Sequence, residues 1–496
     1  MPSSTTSSDA GPDVPIRRRE LGRFAIFLAL LATMALATWI HPVLGPMRPW
    51  VPGEPIPLLH LLVPDRETVE EDAWGEIRTV HEAPPAPSVS LEAPAPVSRL
   101  PVRPPAVPTP LDVPPGALDH WFEALSHAEA GEPGRVVRTC HWGDSTIAAD
   151  GITSRVRSRL QARFGDGGPG FLALKVDPRW QSRPGVARWV KGDWSALEIT
   201  FGGAEERRYG LAGVVSTATG EGTATLGGIE VDGIRQPLHR FDVFYQRQPG
   251  GGTLSLSPKG APGARISTAS DRVRDAFREL RSEAGSSFLF LKAVGDGPVT
   301  VYGVALETAG PGVTWETFGV AGASVGSMLA RQASWHLRAQ IQRRSPDLIV
   351  YQTGGNELEY PGLKVDGGAA FRTPYLQVLS NLEAGVPEAS CLVIGPLDQA
   401  RRERGKVVSK PNLEIMIRVQ QEAAREAGCA FWDARHAMGG EGAFARWLEH
   451  EPRVAWTDLI HLTSAGLDLV GDSLADALLD AYDTWKQEQV APDPLP

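Results

Sequence analysis

Arg135-Val136-Val137-Arg138-Thr139-Cys140-His141-Trp142-Gly143-Asp144-Ser145 is a strand-like run that closes in a turn, and what flanks it sets the fold. Downstream, Ile152, Val156 and Leu160 keep a four-residue spacing, which predicts a helix closing at Phe164-Gly165. Upstream, Leu118, Trp121, Phe122 and Leu125 recur at helical spacing, and Gly131, Pro133 and Gly134 break that pattern before the strand. Ser145 therefore stands between a strand and a helix. At such a junction a side chain is exposed at the carboxyl edge of a parallel sheet, where free N–H groups of the helix start stabilise negative charge. Alone, Gly-Asp-Ser says little, because all three residues are common in turns.

Further runs end at similar turns: Thr314 to Val320 before Gly322, Leu348 to Tyr351 before Gly354-Gly355-Asn356-Glu357, Leu392 to Gly395, and Ala430 to Asp433. Helical stretches such as Ile415, Val419 and Ala423 separate most of them. Strand alternating with helix predicts an α/β fold, a doubly wound parallel sheet with right-handed crossovers. The last element, Leu467 to Tyr482, reads as an amphipathic helix capped by Thr463 or Ser464, directly after Trp456-Thr457-Asp458-Leu459-Ile460-His461. An Asp and a His three apart can lie on one side, with the carboxylate orienting the imidazole.

Between Asp177 and Glu307 the pattern changes to short runs parted by Gly-rich turns, for instance Leu197 to Phe201, Phe241 to Tyr245, Phe288 to Leu291 and Val299 to Tyr302. These predict an antiparallel β-sandwich inserted after the first strand and helix of the α/β domain. Trp180, Trp189 and Trp194 precede or open it. Tryptophans near a domain boundary usually pack, but exposed ones stack on sugar rings, and the sequence leaves both roles open.

The 496 residues suit two folded domains with tails. With 59 Asp plus Glu against 49 Lys plus Arg, the net charge of −10 gives no footprint for nucleic acid, which needs clustered Lys and Arg. Cys140, Cys391 and Cys429 are odd in number and widely spaced in apolar stretches, which argues against a disulfide framework or zinc cluster and for small core residues. At the N-terminus Arg17, Arg18, Arg19 and Arg23 precede a charge-free apolar run, Phe24 to Ile40. That arrangement predicts a membrane-targeting signal that leaves residues 1–23 in the cytoplasm and exports everything downstream. We read it as a single-pass inner-membrane anchor, although Ala35-Leu36-Ala37 would also serve as a cleavage site. Arg18-Arg19-Glu20-Leu21 faintly resembles a twin-arginine signal. Residues 41–116 carry 19 of the 42 prolines and read as a semi-rigid linker holding the folded part away from the membrane. The expected organisation is thus anchor 24–40, linker 41–116, an α/β domain in two pieces (117–176 and 308–487), the insert 177–307, and a tail from 488 to 496.

Taken together, Gly143-Asp144-Ser145, Gly322, Asn356, and Asp458 with His461 resemble the SGNH or GDSL-type hydrolase superfamily, whose four blocks supply Ser, Gly, Asn and His in that order. The β-rich insert between the first two blocks, Asp296-Gly297-Pro298-Val299, the Gly-x-Asn-Glu block, and Phe431-Trp432-Asp433 with Ala437-Met438-Gly439-Gly440 look like the envelope members typified by peptidoglycan O-acetylesterases. The resemblance implies that the insert is a carbohydrate-binding-like module. Two departures stand out: Gly355 where relatives often have Thr, and Trp142 where a Tyr or Ile is usual.

The chemistry of the residues agrees. A serine hydroxyl is a weak nucleophile until a base takes its proton; His461 can do so near neutral pH, with Asp458 fixing its tautomer. For the oxyanion, the resemblance supplies the backbone N–H groups of Ser145 and Gly322 and the side-chain amide of Asn356. His141, His336 and His436 read as core or surface histidines, and Glu357 as either a brace for the Asn loop or a solvated carboxylate. No Gly-rich phosphate loop or metal pattern is present in the sequence, so no cofactor is expected. The expected activity is an exported serine esterase that removes O-acetyl groups from an envelope polysaccharide, peptidoglycan by resemblance. Two rivals stay open. An acyltransferase would use the same acyl-serine, and a non-catalytic glycan-binding protein would use only the tether and insert.

Overall fold

Five strands with almost no exposed residue build the centre of the molecule: β1 (Val136–Gly143), β2 (Gly312–Gly319), β3 (Leu348–Gln352), β4 (Ser390–Ile394) and β5 (Ala430–Trp432). They are described in a computed structural model of residues 107–177, 183–228, 236–358, 363 and 366–490. The expected anchor, residues 41–106 of the linker, Trp180 and residues 491–496 of the tail lie outside the described residues. Among the described residues no helix is long and apolar enough to cross a membrane.

All pairings in this sheet are parallel, in the order β2-β1-β3-β4-β5. That is the flavodoxin-like order, with its switch point between β1 and its two neighbours, where the carboxyl ends of the strands form a crevice. Successive side chains serve opposite faces. Leu348 and Val350 join Val137, Trp315, Leu392 and Ile394 against the helices Asp119–Glu129, Gly151–Phe164 and Ser464–Val490. Ile349 and Tyr351 join Trp142, Phe318, Val393 and Phe431 against Ser334–Arg344, Ala369–Glu383 and Leu413–Ala427. A strand buried on both faces is apolar at most positions, which is why these runs do not alternate in sequence, and its buried charges, such as Glu316, are paired. Each such Leu, Ile or Val contributes about 1.5–3 kcal/mol by leaving water.

The insert is antiparallel, as expected, but its nine strands form one hydrogen-bonded sheet and not two separate ones, and it opens at Gly170, ahead of residue 177. The long strand Val214–Gly228 explains this. Its residues 216–218 pair with Val299–Glu307, whereas residues 221–227 pair with Phe288–Val294, and Gly220 and Gly222 stand at the change. Glycine there lets one sheet fold over on itself. Leu226, Leu254, Leu289 and Leu291 of one half then share a core with Phe241, Val243, Val301 and Val304 of the other.

A buried charge cluster joins insert to core. Arg344, at the end of Ser334–Arg344, pairs with Glu316 of β2 and, at 2.5 Å, with Glu307 of the insert. Glu307 also accepts from Arg138 of β1 and Arg240, each at 2.7 Å. Burial would raise the Glu307 carboxyl, but Arg344 and Arg138 outweigh it and hold it well below the usual carboxylate range.

Two expectations are corrected. The cysteines are not all free core residues: Cys391 and Cys429 form a disulfide, with Cα atoms 4.6 Å apart. The register of β4 with β5 pairs Leu392 with Ala430, so the residues just before them stand abreast; only Cys140 is a free, buried thiol. The linker also ends earlier than residue 116. Asp112 pairs antiparallel with Phe431, its N–H donating at 2.9 Å and its carbonyl accepting at 2.8 Å, and Trp432 Nε1 donates to the Thr109 carbonyl at 2.9 Å. This strap covers the otherwise open edge of β5.

Candidate active site

β1 ends at Gly143, where a Cβ would stand 2.6 Å from the Gln352 carbonyl oxygen of β3, so the close approach demands glycine. Asp144 then caps the short helix Ser145–Ala148, its Oδ1 accepting from the Thr146 N–H at 2.9 Å. Burial raises the Asp144 carboxyl above its usual value, against the opposing pull of that N–H and of His461. Ser145 opens the helix at the carboxyl edge of the sheet, as its position between strand and helix predicted.

His461 arrives from the opposite end of the sequence on a self-contained turn. Asp458 Oδ1 accepts from the Ile460 and His461 N–H groups, each at 3.0 Å, and Leu459 between them takes a left-handed φ of 66°. The other carboxylate oxygen lies 2.7 Å from His461 Nδ1, and His461 Nε2 lies 3.1 Å from Ser145 Oγ. Burial pulls the Asp458 carboxyl upward, but hydrogen bonds from the His461 backbone and imidazole and from Ile460 hold it below its usual value. An ionised Asp458 requires the proton on Nδ1, which leaves Nε2 free to accept from the serine hydroxyl. Serine, histidine and aspartate thus form one connected chain in the order nucleophilic catalysis requires.

The remaining two candidates are tied to each other. Asn356 Nδ2 donates to the Ala323 carbonyl at 2.9 Å, so the Asn loop holds the residue next to Gly322. One N–H of that amide is thereby used, and Asn356 remains exposed. Gly322 itself has φ +74°, a conformation that favours glycine. Glu357 settles as a brace: its Oε1 accepts from the Val325 N–H at 2.9 Å, at the start of Val325–Arg331. Burial pushes its carboxyl up to about 7, and the neighbouring Asp144 adds to this, while the Val325 N–H opposes it.

Neither departure from the family pattern disturbs this arrangement. A Cβ on Gly355 would meet Gln399 Nε2 at 2.3 Å. Gln399 Oε1 accepts from Lys410 Nζ at 2.8 Å, which turns its amide toward Gly355. Trp142 is buried and donates from Nε1 to the Leu211 carbonyl at 2.9 Å, joining β1 to the insert. His141 is a core residue accepting from Trp315, and His336 is buried between the Gly210 N–H and Asp275, whereas His436 is exposed.

A cleft of about 360 Å³ opens beside the nucleophile, lined by Ser145, His461, Leu397, Ile460, Leu467 and Trp456. Trp456 remains 53% exposed there. Neither Trp456 nor Gln399 belongs to a spacing pattern, so the sequence alone gives neither a role. The one group of His, Cys, Asp or Glu among the described residues close enough to share a metal is Glu383, Cys391 and Cys429, and its two sulfurs are bonded to each other.

Comparison with known proteins places these residues in context. Residues 285–469 match the model of the GDSL-like Lipase/Acylhydrolase family. A solved structure described as "Peptidoglycan O-acetylesterase in action" is similar over 74% of this chain and 96% of its own, at 23% identity and a TM-score of 0.61. Smaller likenesses include the acetyl xylan esterase AlAXEase, at 17% identity over 34% of this chain and 80% of its own, TM-score 0.26. Another is Axe2, an acetylxylan esterase from Geobacillus stearothermophilus, at 20% identity over 35% and 73%, TM-score 0.24. No curated protein matches the chain.

Proposed function

We propose that this chain, whose residues 285–469 match the GDSL-like Lipase/Acylhydrolase family model, is a serine esterase of the SGNH type that removes O-acetyl groups from a cell-envelope polysaccharide, peptidoglycan first. The carrying observation is the connected chain Ser145, His461, Asp458, with contacts of 3.1 and 2.7 Å, at the carboxyl edge of the sheet. The fold likeness to a structure described as a peptidoglycan O-acetylesterase, which covers 74% of this chain, supports the choice of substrate.

The reaction divides into two steps. Ser145 Oγ attacks the acetyl carbonyl as its proton passes to His461 Nε2, and Asp458 stabilises the imidazolium. The oxyanion takes hydrogen bonds from the Ser145 and Gly322 N–H groups and from the second N–H of Asn356. Collapse breaks the bond to the sugar oxygen, which leaves as a hydroxyl by taking the proton from His461, and an acetyl-serine remains. Water, deprotonated by His461, then attacks the acetyl carbon, and the second collapse releases acetate as Ser145 Oγ takes the proton back from His461. No cofactor enters either step.

We read the enzyme as exported and membrane-tethered. The Arg-flanked apolar run supports this, and so does the disulfide, which persists in oxidising compartments and is rare where thiols are kept reduced. The test is acetate release by the full chain, in mild detergent, from O-acetylated peptidoglycan beside acetylated xylan, with Ser145→Ala as control. Release from peptidoglycan that vanishes in the variant is the expected result. Preference for xylan would overturn the substrate, transfer of acetyl to a sugar acceptor would make the enzyme a transferase, and no turnover of any ester would overturn the catalytic reading.

A further inference from the structure

Half of the insert's folded sheet turns an unusual face to solvent. Four strands carry it: Val186–Glu198, Val214–Gly228, Phe288–Val294 and Thr253–Pro258. Because side chains alternate, their inward residues Ala224, Leu226, Leu289, Leu291, Leu254 and Leu256 pack in the core, and the residues between them point outward. Register sets the outward ones in rows. One row runs Trp189, Thr225, Phe290, Ser257. Trp189 is 54% exposed and Phe290 42% exposed, two strands apart, or roughly 9.5 Å. Gly227 stands one position along, on the same face; Phe288 lies across it, since a Cβ there would meet Phe288 Cδ1 at 2.4 Å. Phe288 approaches Trp189 with ring centroids 5.6 Å apart. Three aromatic side chains are thus gathered on one face, the Trp189 and Phe288 planes inclined at 59°, with the Thr225 hydroxyl between Trp189 and Phe290 and that of Ser257 beyond it.

The next row along the same strands is Lys191, Thr223, Lys292, Ser255 and, one strand further out, Arg265. Lys191, Lys292 and Arg265 are all exposed. Glu221 takes one contact from Lys292 at 2.5 Å and Asp296 faces Arg265, so three cations stand against two carboxylates and the row keeps a net positive charge on a chain whose net charge is −10. Aromatic faces flanked by hydroxyls suit a sugar ring, whose C–H face stacks on an aromatic ring while its hydroxyls exchange hydrogen bonds at the rim. A parallel row of cations selects, among polysaccharides, one that carries carboxylates.

We propose that this face is a binding site for an anionic polysaccharide strand, which stacks on Trp189, Phe288 and Phe290 and sets its carboxylates against Lys191, Lys292 and Arg265. It is separate from the catalytic cleft. Only the choice of peptidoglycan as probe rests on the esterase reading.

The experiment uses the full chain in mild detergent and follows its retention on insoluble peptidoglycan sacculi and on insoluble neutral xylan. Turnover of 4-nitrophenyl acetate is measured in parallel. Expected are retention on sacculi that weakens with salt, weak retention on xylan, and a loss of roughly tenfold in affinity for Trp189→Ala with Phe290→Ala. Lys191→Glu with Arg265→Glu should release the protein from sacculi while leaving 4-nitrophenyl acetate turnover unchanged, which shows the variant folded. Equal retention of wild type and both variants overturns the proposal. So does equal binding of the wild type to xylan and sacculi, or a concentration-dependent assembly that the aromatic substitutions abolish, since the face would then join two copies. Retention that depends on these residues in a protein without ester turnover would sink the esterase reading and leave the binding site standing.

Discussion

Replacing Glu357 with Gln should flatten the dependence of stability on pH. The carboxyl is buried beneath the Asn356 loop, accepts one hydrogen bond from Val325, and has no partner for its second oxygen. Burial raises its folded value from 4.5 to about 7. An acid whose folded value is raised binds its proton more tightly in the folded state. The stability it lends is complete below about pH 4.5 and is lost as pH rises through 7. At about 1.36 kcal/mol per pH unit, the interval corresponds to roughly 3 kcal/mol, nearly all of it gone by pH 8. Glutamine keeps an acceptor for Val325 and carries no charge at any pH, so this part of the slope should vanish. Urea unfolding of both proteins at pH 5 and pH 8 measures it. Wild type should lose about 2.5 kcal/mol more than Glu357→Gln between the two, since a little of the effect is already spent at pH 5. Parallel losses in the two proteins would mean that Glu357 reaches water or a counter-charge, and the account of a buried brace would fail.

Asn356→Ala should lower kcat by about 10²–10³ with unchanged folding, as loss of one oxyanion donor does, and acetate release with circular dichroism checks both halves. Asp458→Asn should retain the turn yet favour the wrong imidazole tautomer, lowering kcat by about 10⁴; a small effect would show that the contact at 2.7 Å does not orient His461. Cys391→Ser with Cys429→Ser opens a loop of sequence separation 38 and should destabilise by about 4 kcal/mol in urea unfolding, whereas equal midpoints would mean the pair is not closed. Gly355→Thr should depress activity because its Cβ would sit 2.3 Å from Gln399 Nε2, and Gln399→Ala should restore it; a second substitution that brings no recovery would place the damage elsewhere.

The parts legible in the sequence were those governed by short-range rules. Strands β1 to β4 announced themselves as largely apolar runs ending before glycine turns, and Ser145, Gly322 and Asn356 stood at those ends, where the doubly wound fold gathers side chains, whereas Asp458 and His461 stood at the entry of the last helix. What escaped depends on which strands become neighbours. Cys391 and Cys429 are far apart along the chain, and only the adjacency of β4 and β5 brings them abreast. Glu357 could be a brace or a solvated acid until the Val325 N–H was found beside it. The rows on the insert needed the register of five strands, although Trp189 was already a candidate. Proline content alone marked 41–116 as linker, yet its last residues carry the backbone that pairs with β5, which composition does not reveal.

The position of the insert follows from the same geometry. It leaves the core after Gly151–Phe164 and returns at Gly312, both at the amino ends of the parallel strands, whereas Ser145, Asn356 and the Gly322 loop stand at the carboxyl ends. A domain of this size therefore joins the sheet without interrupting the chemistry. It does not hang free, however. At the amino end Glu307 is gripped by Arg138 and Arg344. Toward the carboxyl end Trp142 donates to Leu211, Arg331 donates to the Ile199 carbonyl at 3.2 Å, and Gln332 donates to the Gly210 carbonyl at 2.9 Å. Arg331 ends, and Gln332 directly follows, the helix that Glu357 anchors behind Gly322. Attachment at both ends of one sheet edge resists pivoting about either, because rotation would expose the buried carboxylate at one end or break the carbonyl contacts at the other. A strand held on the outer face of the insert would then stand at a fixed distance from Ser145, and successive esters would be reached by sliding the polysaccharide and not by moving the domain.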